Sequence, residues 1–256
     1  MNFKNINEYR GSNIRIENKL DKEINEYTES INIDPDNEDN YNNRGICYDE
    51  KGEYEKAIAD YTKALELYPE YDEAYNNRGL SYENLGEYEK AINDYTKAIK
   101  INSEEADVYY NRGISYENLG KYKEAKSDFT KAIELNSEEA DYFYNRALCY
   151  EVFNENEKAI ADYTKVIELD NENDEAYNNR GICYSNIGNY KKAIEDYNVV
   201  IDFNTENAEI YYNRALAYEK IGEYEEAVKG YKKSLELYPE DEESKKKLDE
   251  CLEKLK

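Results

Sequence analysis

Apolar and polar positions along this chain recur in phase every 34 residues, a period marked by Arg44, Arg78, Arg112, Arg146, Arg180 and Arg214. Slots 1 to 34 are counted from Glu38, Asp72, Ala106, Ala140, Asp174 and Ala208, giving six repeats. Slot 4 is always aromatic (Tyr41 to Tyr211, with Phe143 in the fourth repeat), slot 8 is Gly or Ala, and slot 11 is Tyr throughout. Slot 20 is always Ala, and slot 24 is always Tyr or Phe. Steps from slot 4 to 11, and from 20 to 28, are helical steps, so each repeat predicts two helices. Gly at slot 15 (Gly52, Gly86, Gly120, Gly188, Gly222) suits the left-handed residue that ends a first helix. Pro35, Pro69 and Pro239 fall in slot 32 or its N-terminal equivalent, where they stop a second helix. A fixed period of this size predicts a solenoid whose repeats pack only on their neighbours.

These slots, with a small residue at 27, resemble the tetratricopeptide repeat family. The resemblance implies an all-α fold, a right-handed α-α superhelical solenoid that works as a protein-binding scaffold. It covers residues 38–241 as six tandem helix pairs. Residues 1–37 read as a degenerate N-terminal capping repeat, where Arg10, Gly11, Tyr27, Ile31 and Pro35 keep register while Ile14, Leu20 and Glu23 depart. Residues 242–256 place Leu248, Cys251, Leu252 and Leu255 at helical spacing and read as a C-terminal solvating helix. One departure from the family pattern is general: slot 7 is often Leu there and is Arg here.

Composition narrows the possible partners. Apolar content is 39%, low for a globule, yet 30 Tyr in periodic slots supply enough burial to exclude an acidic disordered chain. A net charge of −25 argues against nucleic acid and anionic membrane and favours cationic partners. No apolar run approaches the ~20 residues that span a bilayer, and the first 20 residues do not read as a secretory signal. Cys47, Cys149 and Cys183 all fall in slot 10, a small core position too widely spaced along a solenoid for pairing. The expectation is a reducing, cytoplasmic setting.

Catalytic chemistry is poorly provided for. The sequence has no His, which removes the commonest general base and metal ligand and any Ser–His or Cys–His nucleophile. The stretch from Asp34 to Asp39 has calcium-loop character but lacks Gly at its sixth place and Glu at its twelfth, which is Gly45. The expectation is a non-catalytic chain with no cofactor and no metal.

Two polar rows remain. Arg at slot 7 is matched by Asp at slot 23 (Asp60, Asp94, Asp128, Asp162, Asp196), and the two slots stand equally far from the turn at slot 15. They predict an Arg–Asp pair between helices, broken in the sixth repeat, where Gly230 faces Arg214. Asn fills slot 6 in every repeat: Asn43, Asn77, Asn111, Asn145, Asn179 and Asn213. In the tetratricopeptide family, slots 2, 5, 6, 9, 12 and 13 line the concave face, so the resemblance implies an asparagine ladder gripping an extended polypeptide. The other reading is that these amides bond neighbouring helices or water, since Asn in mid-helix competes for backbone partners.

Around that row lie Tyr110, Tyr144 and Tyr212 at slot 5, an apolar slot 9, and acidic slots 2 and 12, the latter including Glu83, Glu117 and Glu151. The family's clamp for chaperone tails needs Lys and Arg in the groove and Asn at slot 9; here slots 2, 5 and 12 carry neither cation, so that specificity is rejected. The sequence thus predicts a scaffold for a protein or peptide with basic segments. The alternative is an assembly module that docks through its convex face or ends, and the oligomeric state stays open. In the fourth repeat, Val152 to Asn156 replace the usual Gly and Tyr of the turn, a change that reads as drift in an exposed loop.

Overall fold

A computed structural model describes the backbone of residues 3–203 and 206–256, and side chains from residue 18 onward in those ranges. Every element is helical: α1 Phe3–Ile33, α2 Glu38–Glu50, α3 Tyr54–Leu67, α4 Asp72–Asn84, α5 Tyr88–Ile101, α6 Ala106–Asn118 and α7 Tyr122–Leu135 make the first compact unit. The second unit holds α8 Ala140–Val152, α9 Asn156–Leu169, α10 Asp174–Asn186, α11 Tyr190–Phe203, α12 Ala208–Lys220, α13 Tyr224–Leu237 and α14 Glu242–Lys254. Within each unit successive helices pack on one another, and neighbouring first helices of repeats also touch. Each unit is an all-α repeat solenoid.

Residues 3–33 form one helix, not the degenerate pair predicted from the register. Its described half still fills second-helix slots, burying Leu20 and Ile31 against the first repeat. Arg10, Gly11 and Ile14 lie outside the described side chains.

The turn after each first helix follows from its slot-15 residue. Gly52 has φ 71°, its N–H bonds the Asp49 carbonyl, and the Glu53 N–H reaches back to the Tyr48 carbonyl at 2.8 Å. That bond closes a left-handed C-cap. In the fourth repeat Asn154 takes the same conformation with φ 54°, the one positive-φ residue other than Gly among the described residues. The irregular turn therefore keeps the standard path. Asn37, Asn173, Asn207 and Asp241 cap α2, α10, α12 and α14 by accepting backbone N–H bonds. The calcium-like stretch is accounted for in part by this capping role of Asn37.

The core is built of small against large. A Cβ added to Gly45 would stand 2.6 Å from Cε1 of Tyr61, so the slot-24 ring lies directly on the backbone of slot 8. Tyr61, Tyr95, Phe129, Tyr163, Tyr197 and Tyr231 are all buried, packed beside the slot-20 alanines. The four cysteines are buried. No described helix is long and apolar enough to cross a membrane.

Candidate interaction face

The Arg–Asp row is a chain of clasps. Arg78 donates through Nε and Nη2 to Asp94 Oδ2 and Oδ1 at 2.6 and 2.9 Å, and the same bidentate geometry joins Arg44–Asp60, Arg112–Asp128, Arg146–Asp162 and Arg180–Asp196. The third contact crosses to the preceding repeat: Nη1 of Arg44, Arg78, Arg112 and Arg180 donates to Thr28, Thr62, Thr96 and Thr164. Each guanidinium also lies over a slot-4 ring, as Arg78 does over Tyr75 at 5.7 Å. Arg at slot 7 is therefore structural in these repeats. It pins the two helices of a repeat and ties them to the one before.

The asparagine row also runs between repeats. Asn77 Nδ2 donates to Asn42 Oδ1 at 3.3 Å, Asn111 to Asn76 at 3.2 Å, and Asn179 to the Tyr144 hydroxyl at 3.2 Å. Slot 6 of one repeat thus holds slot 5 of the repeat before. Asn145 bonds its own helix, donating to the Asp141 carbonyl. Asn43 is half-buried, and Asn213 lines a recess described below. The slot-5 tyrosines lie partly against the slot-24 rings, with centroids 5.7 Å apart for Tyr110–Phe129, Tyr144–Tyr163 and Tyr212–Tyr231. Tyr144 donates to Glu175 at 3.1 Å, and Glu175 belongs to slot 2 of the following repeat. Tyr212 makes the same kind of bond to Glu243, and burial with that carboxylate raises its pKa.

The two acidic rows differ. Slot-12 carboxylates are half-buried, and most are bonded inside the protein: Glu83 accepts from Ser115 at 2.6 Å and from Tyr95 at 3.4 Å, and Asp49 from Ser81 and Tyr61, each at 2.7 Å. Glu151 accepts from Tyr163, and Cys183 also bonds it. Burial raises the pKa of Asp49, Glu83, Glu117 and Glu151, and pushes the Cys183 thiol up to about 12. Slot 2 stays at the surface, with Glu73, Asp107, Asp141, Glu175 and Glu209 all exposed.

Recesses open between successive slot-2 carboxylates. In the first unit a cavity of about 330 Å³ lies at the start of α4 and α6, lined by Asp72, Glu73, Asn76, Asn102, Glu105 and Asp107. A cavity of about 440 Å³ occupies the equivalent slots in the second unit, lined by Glu209, Tyr212, Asn213, Tyr238, Asp241 and Glu243. Neither has Lys or Arg in its wall. Slots 2, 5 and 6, which sequence reasoning places on one face, contribute Glu73, Asn76 and Asn213 to these recesses. That reasoning missed the contribution of slots 31 and 34 (Asn102, Glu105, Tyr238, Asp241), which come from the loop between repeats. Their polar character was visible, but their position beside slot 2 depends on how one repeat stacks on the next.

Among the described residues no group of three or more Cys, Asp or Glu is arranged to hold a metal ion. The chain is similar to solved solenoids. YrrB, described as a tetratricopeptide repeat protein with an unusual peptide-binding site, is 26% identical over 72% of this chain and 95% of its own, with a TM-score of 0.66. MamA is 27% identical over 66% of this chain and 92% of its own, with a TM-score of 0.61. The C-terminal part of a repeat protein from Cytophaga hutchinsonii shares the fold at 20% identity, covering 94% of this chain and 99% of its own, with a TM-score of 0.75. No curated protein matches the chain. The tetratricopeptide repeat profile matches residues 39–71, 72–105, 106–139 and 208–241, and related repeat profiles match 140–173, 162–195 and 184–222. With more than half of its length matched in phase, the chain belongs to the tetratricopeptide repeat family.

Proposed function

We propose that this chain is a non-catalytic scaffold that binds an extended polypeptide carrying Lys or Arg along the first-helix faces of its repeats. The observation that carries this reading is the recurrent recess between slot-2 carboxylates, walled by acids and amides and by no cation. A partner cation entering the first-unit recess meets Glu73 and Asp107 while staying close to water, so it loses little hydration and gains Coulomb energy. Asn76 offers amide groups that suit a peptide backbone. Asn77, Asn111 and Asn179 already join repeats, so the exposed carboxylates, more than the asparagine row, select the partner.

The test is fluorescence anisotropy of a labelled Lys/Arg-rich peptide with the intact chain and with the pair Glu73→Gln and Asp107→Asn. The expected result is binding that weakens several-fold in the variant and weakens again above ~0.15 M salt, where screening acts over about 8 Å. Equal affinity for the two proteins would overturn the reading.

A second reading, docking through an edge to a larger assembly, is favoured by apolar side chains exposed at helix ends, among them Ile101 at 40% and Phe203 at 51%. It predicts partner capture that is insensitive to salt and to the slot-2 substitutions.

A further inference from the structure

The sixth repeat carries an open clasp. Where five repeats place a carboxylate against the Arg Nε–Nη2 edge, this one has Gly230. Arg214 keeps the rest of the arrangement: Nη1 donates to Asn198 Oδ1 at 2.6 Å, and the guanidinium lies over Tyr211 at 5.6 Å. Its Nε–H is buried and has no acceptor among the described residues. A buried donor left in this state is costly.

The chain cannot close the clasp from position 230 at the present helix spacing. A Cβ there would stand 2.8 Å from Ala215 Cβ and 3.2 Å from the Tyr211 carbonyl oxygen. A cation stands beside the open clasp, at slot 26. Lys233 interacts with Tyr211 while pairing with Glu236 at 3.0 Å. Its counterpart Lys97 lies over Tyr75 with Nζ 3.9 Å from the Asp94 carboxylate, which places slot 26 at the rim of the clasp.

From this geometry we infer that Arg214 is a binding site for a carboxylate supplied from outside the chain. Once α12 and α13 part far enough to uncover Nε, a planar anion with two oxygens matches the Nε–Nη2 edge as Asp94 matches Arg78, with Lys233 at the rim. The source is either a free small carboxylate or an Asp or Glu side chain of a partner. The inference stands apart from the acidic first-helix face and does not depend on it.

The experiment is hydrogen exchange of the full chain, read over residues 208–237, with formate replacing chloride at constant ionic strength. A second arm uses a short Glu-rich peptide. Slower exchange in formate than in chloride, lost in Arg214→Gln, is expected. A peptide that reproduces the protection at far lower concentration assigns the site to a partner side chain, and protection by formate alone assigns it to a free carboxylate.

Since Arg214→Gln removes packing as well as charge, a second variant combines Ala215→Gly with Gly230→Asp, making room for an internal carboxylate. That protein is expected to exchange more slowly in chloride and to ignore formate. Equal protection by formate and chloride in the natural chain, or an undiminished formate response in either variant, would overturn the inference.

Discussion

Removing the Asp94 carboxylate strands a guanidinium built to be neutralised. The Arg78 and Asp94 side chains are 13% and 2% exposed, and two charge-assisted bonds of 2.6 and 2.9 Å join them. The variants Asp94→Val, Arg78→Met and their combination form a thermodynamic cycle. Asp94→Val leaves a largely buried cation without its anion, a loss of about 3–5 kcal/mol by analogy with broken buried pairs. Arg78→Met leaves the carboxylate without its two donors and is expected to cost about the same. The double variant removes both charges and puts apolar groups of similar length in place, so its loss falls well short of the sum. The coupling should be about 2 kcal/mol or more. The assay is urea unfolding followed by far-UV circular dichroism, fitted as a nearest-neighbour array because a solenoid need not unfold in one step. Hydrogen exchange in α4 and α5 localises the effect. A coupling below about 0.5 kcal/mol, the range of exposed ion pairs, would refute the claim that the clasps hold the repeats together.

Other substitutions test the remaining geometry. Glu83→Gln keeps an oxygen for the Ser115 and Tyr95 hydroxyls while removing a carboxylate whose pKa burial has raised. Glu83 therefore detracts from stability as pH rises through its folded pKa and costs nothing below the ordinary Glu value near ~4.3. Chemical denaturation of the two proteins should diverge towards neutral pH, with the Gln variant the more stable, and converge in acid; parallel curves would contradict the burial argument. Asn154→Gly relieves a left-handed backbone and should stabilise the fourth repeat by up to about 1 kcal/mol in the same assay. Gly45→Ala drives a Cβ into the Tyr61 ring and should destabilise by about 1–3 kcal/mol, although the fourth and sixth repeats carry Ala at that slot. Asn111→Ala removes a bond between repeats and should cost about 1 kcal/mol of stability while changing basic-peptide affinity little, as titration with the labelled peptide would show.

The sequence carried the helix pairs and the clasps because both are periodic. A 34-residue phase forces Tyr61 onto Gly45, and matched charges at slots 7 and 23 can meet only across an antiparallel pair. The failures sit where the phase does not decide. Register suggested two helices in residues 4–37, yet α1 runs unbroken from Phe3 to Ile33, although Asn18 stands at the slot-15 equivalent as Asn154 does in the fourth repeat's turn. Slot 6 reads from the sequence as facing either a partner or a neighbouring helix, and slot 12 as facing a partner, because both lie on one helix face; the stacking of repeats sets Asn77 against Asn42 and closes Ser115 over Glu83. Helical periodicity locates a face but not the neighbour that covers it. Slot 2, at the first turn of each helix, keeps Glu73 and Asp107 exposed, although the preceding repeat still reaches it, with Asn42 donating to Glu73 at 3.4 Å and Tyr144 to Glu175 at 3.1 Å.

The most direct test of the scaffold account is photo-crosslinking from a Lys-rich peptide to the intact chain, with the adducts mapped by mass spectrometry. The account predicts adducts concentrated at the recess mouths, within residues 72–76, 102–107 and 207–213, that fade as salt rises. Adducts confined to the second helices, or a pattern unchanged when Glu73 and Asp107 are neutralised, would contradict it.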